Sequence, residues 1–518
     1  MATLLIRQAR LVPVGAGVVA GPSPRPVDVA VTDGRVTAVG PDLPVHPGAS
    51  NAEVVDAEGR WLIPGLWDHH VHLGQWTLAS QRLDLAAARS PEDATAAVAQ
   101  RLAEHPGYPV IGWGHRSGGW ERDVTVSELD AVSGDTPVVL ISGDGHHAWL
   151  NTTALLHLAM PVRDSVVREG EWFAAYARLS TLVGDDGTSP EAYRRALDSA
   201  ASLGVVGLTD FEFSGGASDW LHRWENGCDR LRVRMSTYAE GLDEVLGLAL
   251  RTGDVLPGVA DVTGPDDRRL TMGPLKIISD GSLNTRTAWC CEPYADAHRL
   301  EYPSGQPNLS GSELRTLLER AHAAGLEVAT HAIGDAAAAA ALSAYAATGA
   351  RGSIEHAQML ARADSRRMAE LGVRASVQPA HLLDDRDLTE KIWQERAARC
   401  FAFRWMLDDG VDLVLGSDAP VSPLDPWLAI AAAVHRSADE REPWHGEQAL
   451  TVAEALAAST DGWGTVDVGH PGDLVLLDAD PYASFETSAE QGAWLRSMPV
   501  AATYVAGEAV HGEGVELG

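Results

Sequence analysis

The sequence predicts an α/β fold: a (β/α)8 TIM-like barrel with an insertion after its first strand, plus a small β-sandwich domain built from both chain ends. Three observations carry this. Short alternating apolar runs joined by tight turns occupy both termini. Strand-like and helix-like segments alternate through the middle. Eight apolar strand runs can be counted there, the number that closes a barrel.

Residues 3–13, 27–40 and 52–63 alternate apolar with polar, separated by turns such as Asp33-Gly34 and Glu58-Gly59. That is hairpin chemistry. The same texture returns at 473–477 and 502–505, with a Gly507 turn before Ala509-Val510. The expected division is therefore a composite β-domain from 1–62 and 468–518 around a barrel at 63–467. The barrel strands fall near 63–72, 205–211, 231–238, 275–278, 326–330, 352–355, 371–377 and 411–415. Between them, 310–324 starts at a serine cap (Ser310 or Ser312), carries a Leu/Ala stripe and stops at Gly325. Asp335 caps an Ala-rich helix ending near Gly349, and 396–409 is helical with Gly410 as its stop. Repeated strand–helix units imply parallel strands. The gap after the first strand is too long for one barrel unit and holds its own strands at 109–112 and 137–141. Residues 78–185 are the expected insertion subdomain, roofing the barrel mouth.

The chain has 518 residues, 45% of them hydrophobic, enough for a large core. Its net charge is −32, from 40 basic and 72 acidic side chains. That argues against nucleic acid, which needs basic patches, and against anionic membrane surfaces. The first apolar stretch is broken by Arg7 and Arg10 and reads as a strand, not a secretory signal. No window is apolar enough to span a bilayer. Cys228, Cys290, Cys291 and Cys400 have no Cys-x-x-Cys spacing, so reduced thiols and a cytoplasmic location are expected.

The chemistry starts at 63–73, IPGLWDHHVHL. Strand side chains alternate faces, so Asp68, His70 and His72 share one face while His69 and Val71 point the other way. Two imidazoles two residues apart on a strand can reach one metal ion. In a barrel, catalytic side chains sit at the C-terminal strand ends. The fourth strand carries Lys276 and runs into Asp280-Gly-Ser282; the fifth ends at His331 in THAIGD; the sixth ends at His356 in IEHAQ. The eighth ends just before Asp418 in GSDAP. Singly, each has an ordinary reading: a core histidine, an ion-paired lysine, an aspartate helix cap. Jointly they point to a metal site, and imidazole with carboxylate suits zinc, iron or manganese rather than calcium.

This set resembles the metal-dependent amidohydrolase superfamily, specifically its YtcJ-like branch, which includes N-substituted formamide deformylases. The resemblance spans nearly the whole chain. It is carried by IPGLWDHHVHL (63–73), GWGHRSGGW (112–120), SGDGHHAWLN (142–151), LKIISDGSLNTRTA (275–288), THAIGD (330–335), IEHAQ (354–358), SVQPAH (376–381), GSDAP (416–420), LTVAEALAAST (450–460) and HPGDLVLLDADP (470–481). His69 and His147 depart from it, standing where similar proteins carry small residues. The resemblance implies one or two divalent ions, zinc first, with Fe2+ or Mn2+ as alternatives. His70 and His72 would hold the more buried ion with Asp418, and His331 and His356 the second. Lys276 would bridge them as a carboxylated lysine, because a cationic lysine has no lone pair to donate.

The expected reaction is hydrolysis of a non-peptide C–N amide bond of N-acyl or N-formyl type. A metal lowers the pKa of a bound water towards roughly 7, and the hydroxide attacks the carbonyl. Asp418 is the expected proton carrier, base then acid. Asp68 is expected to orient a ligand from behind. Cyclic amide opening or deamination on the same scaffold is the alternative chemistry, and a catalytically inactive binding protein the alternative class. Trp113, His146, His147 and Arg286 are the expected substrate contacts, Arg286 either gripping a carboxylate or making a structural ion pair. The expected partners are a small-molecule substrate and a second copy in a homodimer.

Overall fold

In the computed structural model, the stretch 63–73 divides between two sheets at Gly65. Trp61–Pro64 lies in the terminal sheet and Leu66–Val71 in the barrel. A Cβ at Gly65 would stand 2.3 Å from Val206, so only glycine lets the chain cross here. The run read as one strand is therefore two. The structure describes residues 3–15, 25–44, 53–80, 82–85, 87–115, 117, 120–142, 147–176, 178–179, 182, 185–213, 215–264, 267–438 and 441–512. They fall into two units, Met1–Leu73 with Arg194–Gly518, and Gly74–Tyr193.

Both ends of the chain share one eight-stranded sheet. Trp61–Pro64 runs parallel to Thr3–Leu11 and antiparallel to Leu474–Leu477, with Leu62 opposite Leu476. Leu4, Ile6, Val29, Leu62, Leu476 and Tyr504 form its core. Asp33 and Gly34 both take left-handed backbone between Val27–Thr32 and Arg35–Gly40, as a tight hairpin requires.

The barrel has eight parallel strands in chain order: Leu66–Val71, Val205–Asp210, Arg232–Thr237, Leu270–Ile278, Val328–Ala332, Gly352–His356, Arg374–Val377 and Leu413–Leu415. Each pairs with the next, and a parallel bridge between Val71 and Ala419 links the last to the first. The fourth strand begins earlier than expected. Pro274 reads as a strand breaker, but a register shift against Met235–Thr237 absorbs it. The helix expected at 396–409 is instead a 3-10 turn, Gln394–Arg399, and a short helix, Phe403–Asp408. They are divided where Cys400 bridges to Met359 and Phe401 takes a φ of 50°. Gly311–Ala324 begins with a capping box from Ser310 and Glu313 and ends on left-handed Gly325.

The unit Gly74–Tyr193 holds a five-stranded sheet, in the order Val167–Arg168, His147–Leu150, Val138–Ser142, Val110–His115 and Leu83–Asp84. Val139, Ile141 and Leu150 pack with Leu155 and Trp172 in one core; Val138, Leu140 and Trp149 pack with Val98 in another. No helix among the described residues is long and apolar enough to cross a membrane.

His69 is turned away from His70, as alternation requires. Its Nε2 lies 3.8 Å from Asp461, which pairs with both Nη atoms of Arg234 at 2.8 and 2.6 Å. The Arg234 guanidinium lies 4.0 Å from the centre of the Trp67 ring. Burial lowers the His69 pKa from 6.5 to about 4. Between those values the unfolded chain takes a proton that the folded chain refuses. Stability from this group is therefore full above the unfolded pKa and falls as pH drops through the interval. From pH 7.5 to 4.5 the wild type should lose about 2–3 kcal/mol more than His69→Gln. Urea midpoints at the two pH values measure this, and parallel losses would contradict it.

Candidate metal centre

The site forms where the eighth strand meets the first. The Asp68 carboxylate accepts the backbone N–H of His70 at 3.0 Å and of Ser417 at 2.9 Å. The Asp418 N–H donates to the His70 carbonyl at 2.6 Å, and the His72 N–H to Ala419 at 2.9 Å. A Cβ at Gly416 would stand 2.7 Å from the His70 nitrogen, so the GSD segment needs its glycine to approach this closely. Asp68 thus holds the backbone of a candidate ligand rather than its ring. His72 lies one residue past the strand end. The next N–H, of Leu73, donates to Asp210, which also accepts from Glu212 N–H and the Trp220 indole.

Around this seam the candidate donors converge. One ligand atom each from His70, His356 and Asp418 lies within 4.8 Å of the others, and all three residues are buried. Asp418 Oδ1 is 3.4 Å from His70 Nε2 and 3.3 Å from His72 Nε2. Lys276 Nζ is 3.1 Å from His70 Nε2 and 4.2 Å from the Phe211 ring centre. The His331 ring stands edge-on to His356 at 4.5 Å. Its Nε2 is 3.2 Å from the Gly281 carbonyl and 3.4 Å from Asp280. Asp280 is fully buried and accepts the N–H groups of Trp289, Ile333 and Gly334, tying the fourth strand end to the fifth. His356 and Asp418 take φ values of 69° and 57°, left-handed backbone that side-chain-bearing residues keep only when their surroundings impose it.

Burial sets the protonation of this cluster. It lowers His70 to about 4 and His331 to about 3, with the Lys276 charge adding to both, and it lowers His356 well below its ordinary value. The imidazoles are therefore neutral, the form that ligates metal. Burial lowers Lys276 to about 8, against the pull of Glu355 and Asp418. Burial opposes ionisation of Asp418 too, but His70, His72, His356 and His381 outweigh it and keep the pKa well below the carboxylate norm. Burial raises Asp68 to about 6 despite its bonds to Ser417. Neutral imidazoles around one ionised carboxylate fit a divalent cation, and His72 Nδ1 and His356 Nδ1 are buried without hydrogen-bond partners.

Other expected site residues have different surroundings. Arg286 donates to the Asn284 carbonyl at 2.7 Å, and its Nε lies 3.4 Å from Asp296. Of the two readings open in the sequence, the ion pair is formed. His146 lies outside the described residues. Within the unit Gly74–Tyr193, Trp113 packs on an apolar core with Arg82 over its ring, and His147 Nε2 is 2.9 Å from the Ser117 hydroxyl.

Sequence reasoning passed over three residues here. His381 stacks on His356 at 6.0 Å, with its Nε2 3.7 Å from Asp418 Oδ2. Gln378 Nε2 is 3.3 Å from His70 Nδ1. Both lie at or just past the seventh strand end, in the SVQPAH segment, where the strand-end rule points. Glu355 Oε2 is 2.7 Å from His70 Nδ1. Its signal was a lone carboxylate inside an apolar strand.

Comparison with known proteins agrees with this geometry. A family model described as "Amidohydrolase family" matches residues 53–511. Putative amidohydrolase YtcJ of Bacillus subtilis (strain 168) is 26% identical over 495 residues, covering 88% of this chain and 91% of that one. N-substituted formamide deformylase of Arthrobacter pascens is 25% identical over 524 residues, covering 92% and 94%. The crystal structure of an uncharacterized metal-dependent hydrolase from Pyrococcus horikoshii OT3 superposes with a TM-score of 0.72 at 26% identity, covering 93% and 99%. Together with the barrel and its buried histidine–aspartate cluster, these matches show that the chain belongs to the amidohydrolase family, metal-dependent hydrolases acting on carbon–nitrogen bonds.

Proposed function

We propose that the protein hydrolyses a non-peptide C–N amide bond of an N-acyl or N-formyl small molecule, using one or two divalent ions, zinc first. The observation that carries this is the convergence of His70, His356 and Asp418 within 4.8 Å in a buried setting. A relative along 92% of the chain is named a formamide deformylase, which favours an amide over a ring nitrogen. His70, His72 and Asp418 would hold one ion; His331 and His356 would hold the other. When bound, such an ion acidifies water and polarises a carbonyl.

The remaining work falls to the chain's own groups. Asp418, kept ionised among the imidazoles, takes a proton from the attacking water and returns it to the leaving nitrogen. Lys276, lowered to about 8, has neutral amine available near neutrality. That form would add to CO2 with loss of a proton, giving an anionic carbamate whose oxygens would serve as metal ligands. Asp68 holds His70 and Ser417 in register, and with them Asp418.

Phe213 and Val421 stand exposed on strand-end loops beside the cluster. Phe213 is 56% exposed and stacks on His72 at 4.8 Å; Val421 is 66% exposed and donates its N–H to the Asp418 carbonyl. They favour an apolar substituent on the amide.

Purified protein should carry a transition metal by elemental analysis. Less than about half an equivalent, with no activity on adding Zn2+ or Mn2+, would sink the enzyme reading. Asp418→Asn should leave the fold intact and lower turnover at least ~100-fold; near-wild-type turnover would remove the proton carrier. If the wild type carries two ions, Lys276→Ala should leave one, and unchanged stoichiometry would reject Lys276 as a ligand. A screen of N-formyl, N-acetyl and cyclic amides on metal-reconstituted enzyme identifies the substrate. On an aryl-substituted hit, Phe213→Ala should raise KM roughly 10-fold.

A further inference from the structure

Glu355 is one of the most deeply buried carboxylates near the site, 1% exposed, and the mechanism above gives it no role. Its Oε2 meets His70 Nδ1 at 2.7 Å, and its Oε1 accepts the Ser353 hydroxyl. Strand alternation should send Glu355 and His356 to opposite sides. The left-handed φ of His356 changes that. Glu355 reaches His70 by a hydrogen bond, and the His356 ring lies 5.1 Å from the His70 ring.

An ionised carboxylate only accepts. A 2.7 Å contact with it requires the His70 proton on Nδ1, which leaves the lone pair on Nε2. Nε2 is the atom 3.1 Å from Lys276 Nζ and 3.4 Å from Asp418 Oδ1, in the middle of the donor set. Gln378 Nε2, 3.3 Å from the same Nδ1, donates instead to the Ser376 carbonyl and so does not compete for the Nδ1 position.

We propose that Glu355 is a positioning residue: it fixes the tautomer and ring plane of His70 so that Nε2 is presented to the metal. The inference rests on the metal-site reading above. A carboxylate behind a ligating imidazole also raises its basicity, and losing such a partner typically costs ~10–100-fold in metal affinity. The competing role is structural, Glu355 serving as counter-charge for Lys276 with no bearing on His70.

The test is zinc affinity, measured on metal-free protein by competition with a chromophoric chelator, for wild type, Glu355→Gln and Glu355→Met. Nitrogen-15 shifts of labelled histidines, with His70 assigned by substitution, report its tautomer in the same samples. Glu355→Met should bind zinc ~10–100-fold more weakly and release the His70 proton from Nδ1. Glu355→Gln, which keeps an acceptor oxygen, should hold the tautomer and lose less affinity. Ser353→Ala, which frees one carboxylate oxygen, should fall between wild type and Glu355→Met. If Glu355→Met does not fold, the Gln and Ala variants carry the test. Wild-type affinity and an Nδ1 proton in every folded variant would overturn the proposal while leaving the metal site standing. A wild type that binds no zinc would overturn the metal-site reading itself.

Discussion

The seam between the first and eighth barrel strands is the constraint on which the site depends. One carboxylate, Asp68, accepts N–H groups from both sides of it, His70 and Ser417. The Asp418 N–H then closes on the His70 carbonyl at 2.6 Å. Residues 348 positions apart in the chain, from 418 − 70, are thereby held in one register. The glycine at 416 permits the approach, and the left-handed backbone at Asp418 brings its carboxylate within 3.4 Å of both imidazoles. Every other donor is placed relative to this pair, because each neighbouring strand is in register with the next.

What gathers there is expensive in isolation. Buried ionisable groups give up hydration, and each responds by moving toward its neutral form. The imidazoles do so, and Lys276 moves part of the way. Asp418 does not: the positive charge that neighbouring imidazoles take up as pH falls, and a hydrogen bond from His72, keep its carboxylate ionised. A neutral-imidazole, ionised-carboxylate pocket is matched to a cation, and binding to the folded state alone couples metal affinity to stability. Phe211, buried against Lys276, keeps the local dielectric low and strengthens that match.

Much of this was legible in the sequence, and the reasons differ by element. The barrel was readable because helix stops and apolar runs are local signals: Ser310 and Gly325 bracket their helix as the sequence implies. His69 was separated from His70 and His72 by alternation alone, and it does face Asp461. The division at Gly65 was not readable, because its cause is a side chain on another strand, Val206. Pro274 hid half of the fourth strand for the same kind of reason, the compensating shift lying in its partner. Within the site, the positive φ of His356, which no local pattern announces, lets Glu355 and the His356 ring both approach His70. Glu355 was missed because a single carboxylate gains meaning only from a distant partner, here His70. His381 was within reach, since it closes a motif at a strand end.

The central claim is that one buried set of side chains from the first, sixth and eighth strands holds a catalytic cation. Anomalous diffraction from crystals of zinc-loaded protein tests it most directly. The expected result is a zinc peak inside the cluster of His70, His72, His356 and Asp418, with His69 still on Asp461. A peak elsewhere, no peak in that cluster at saturating zinc, or ligation through His69 would contradict it.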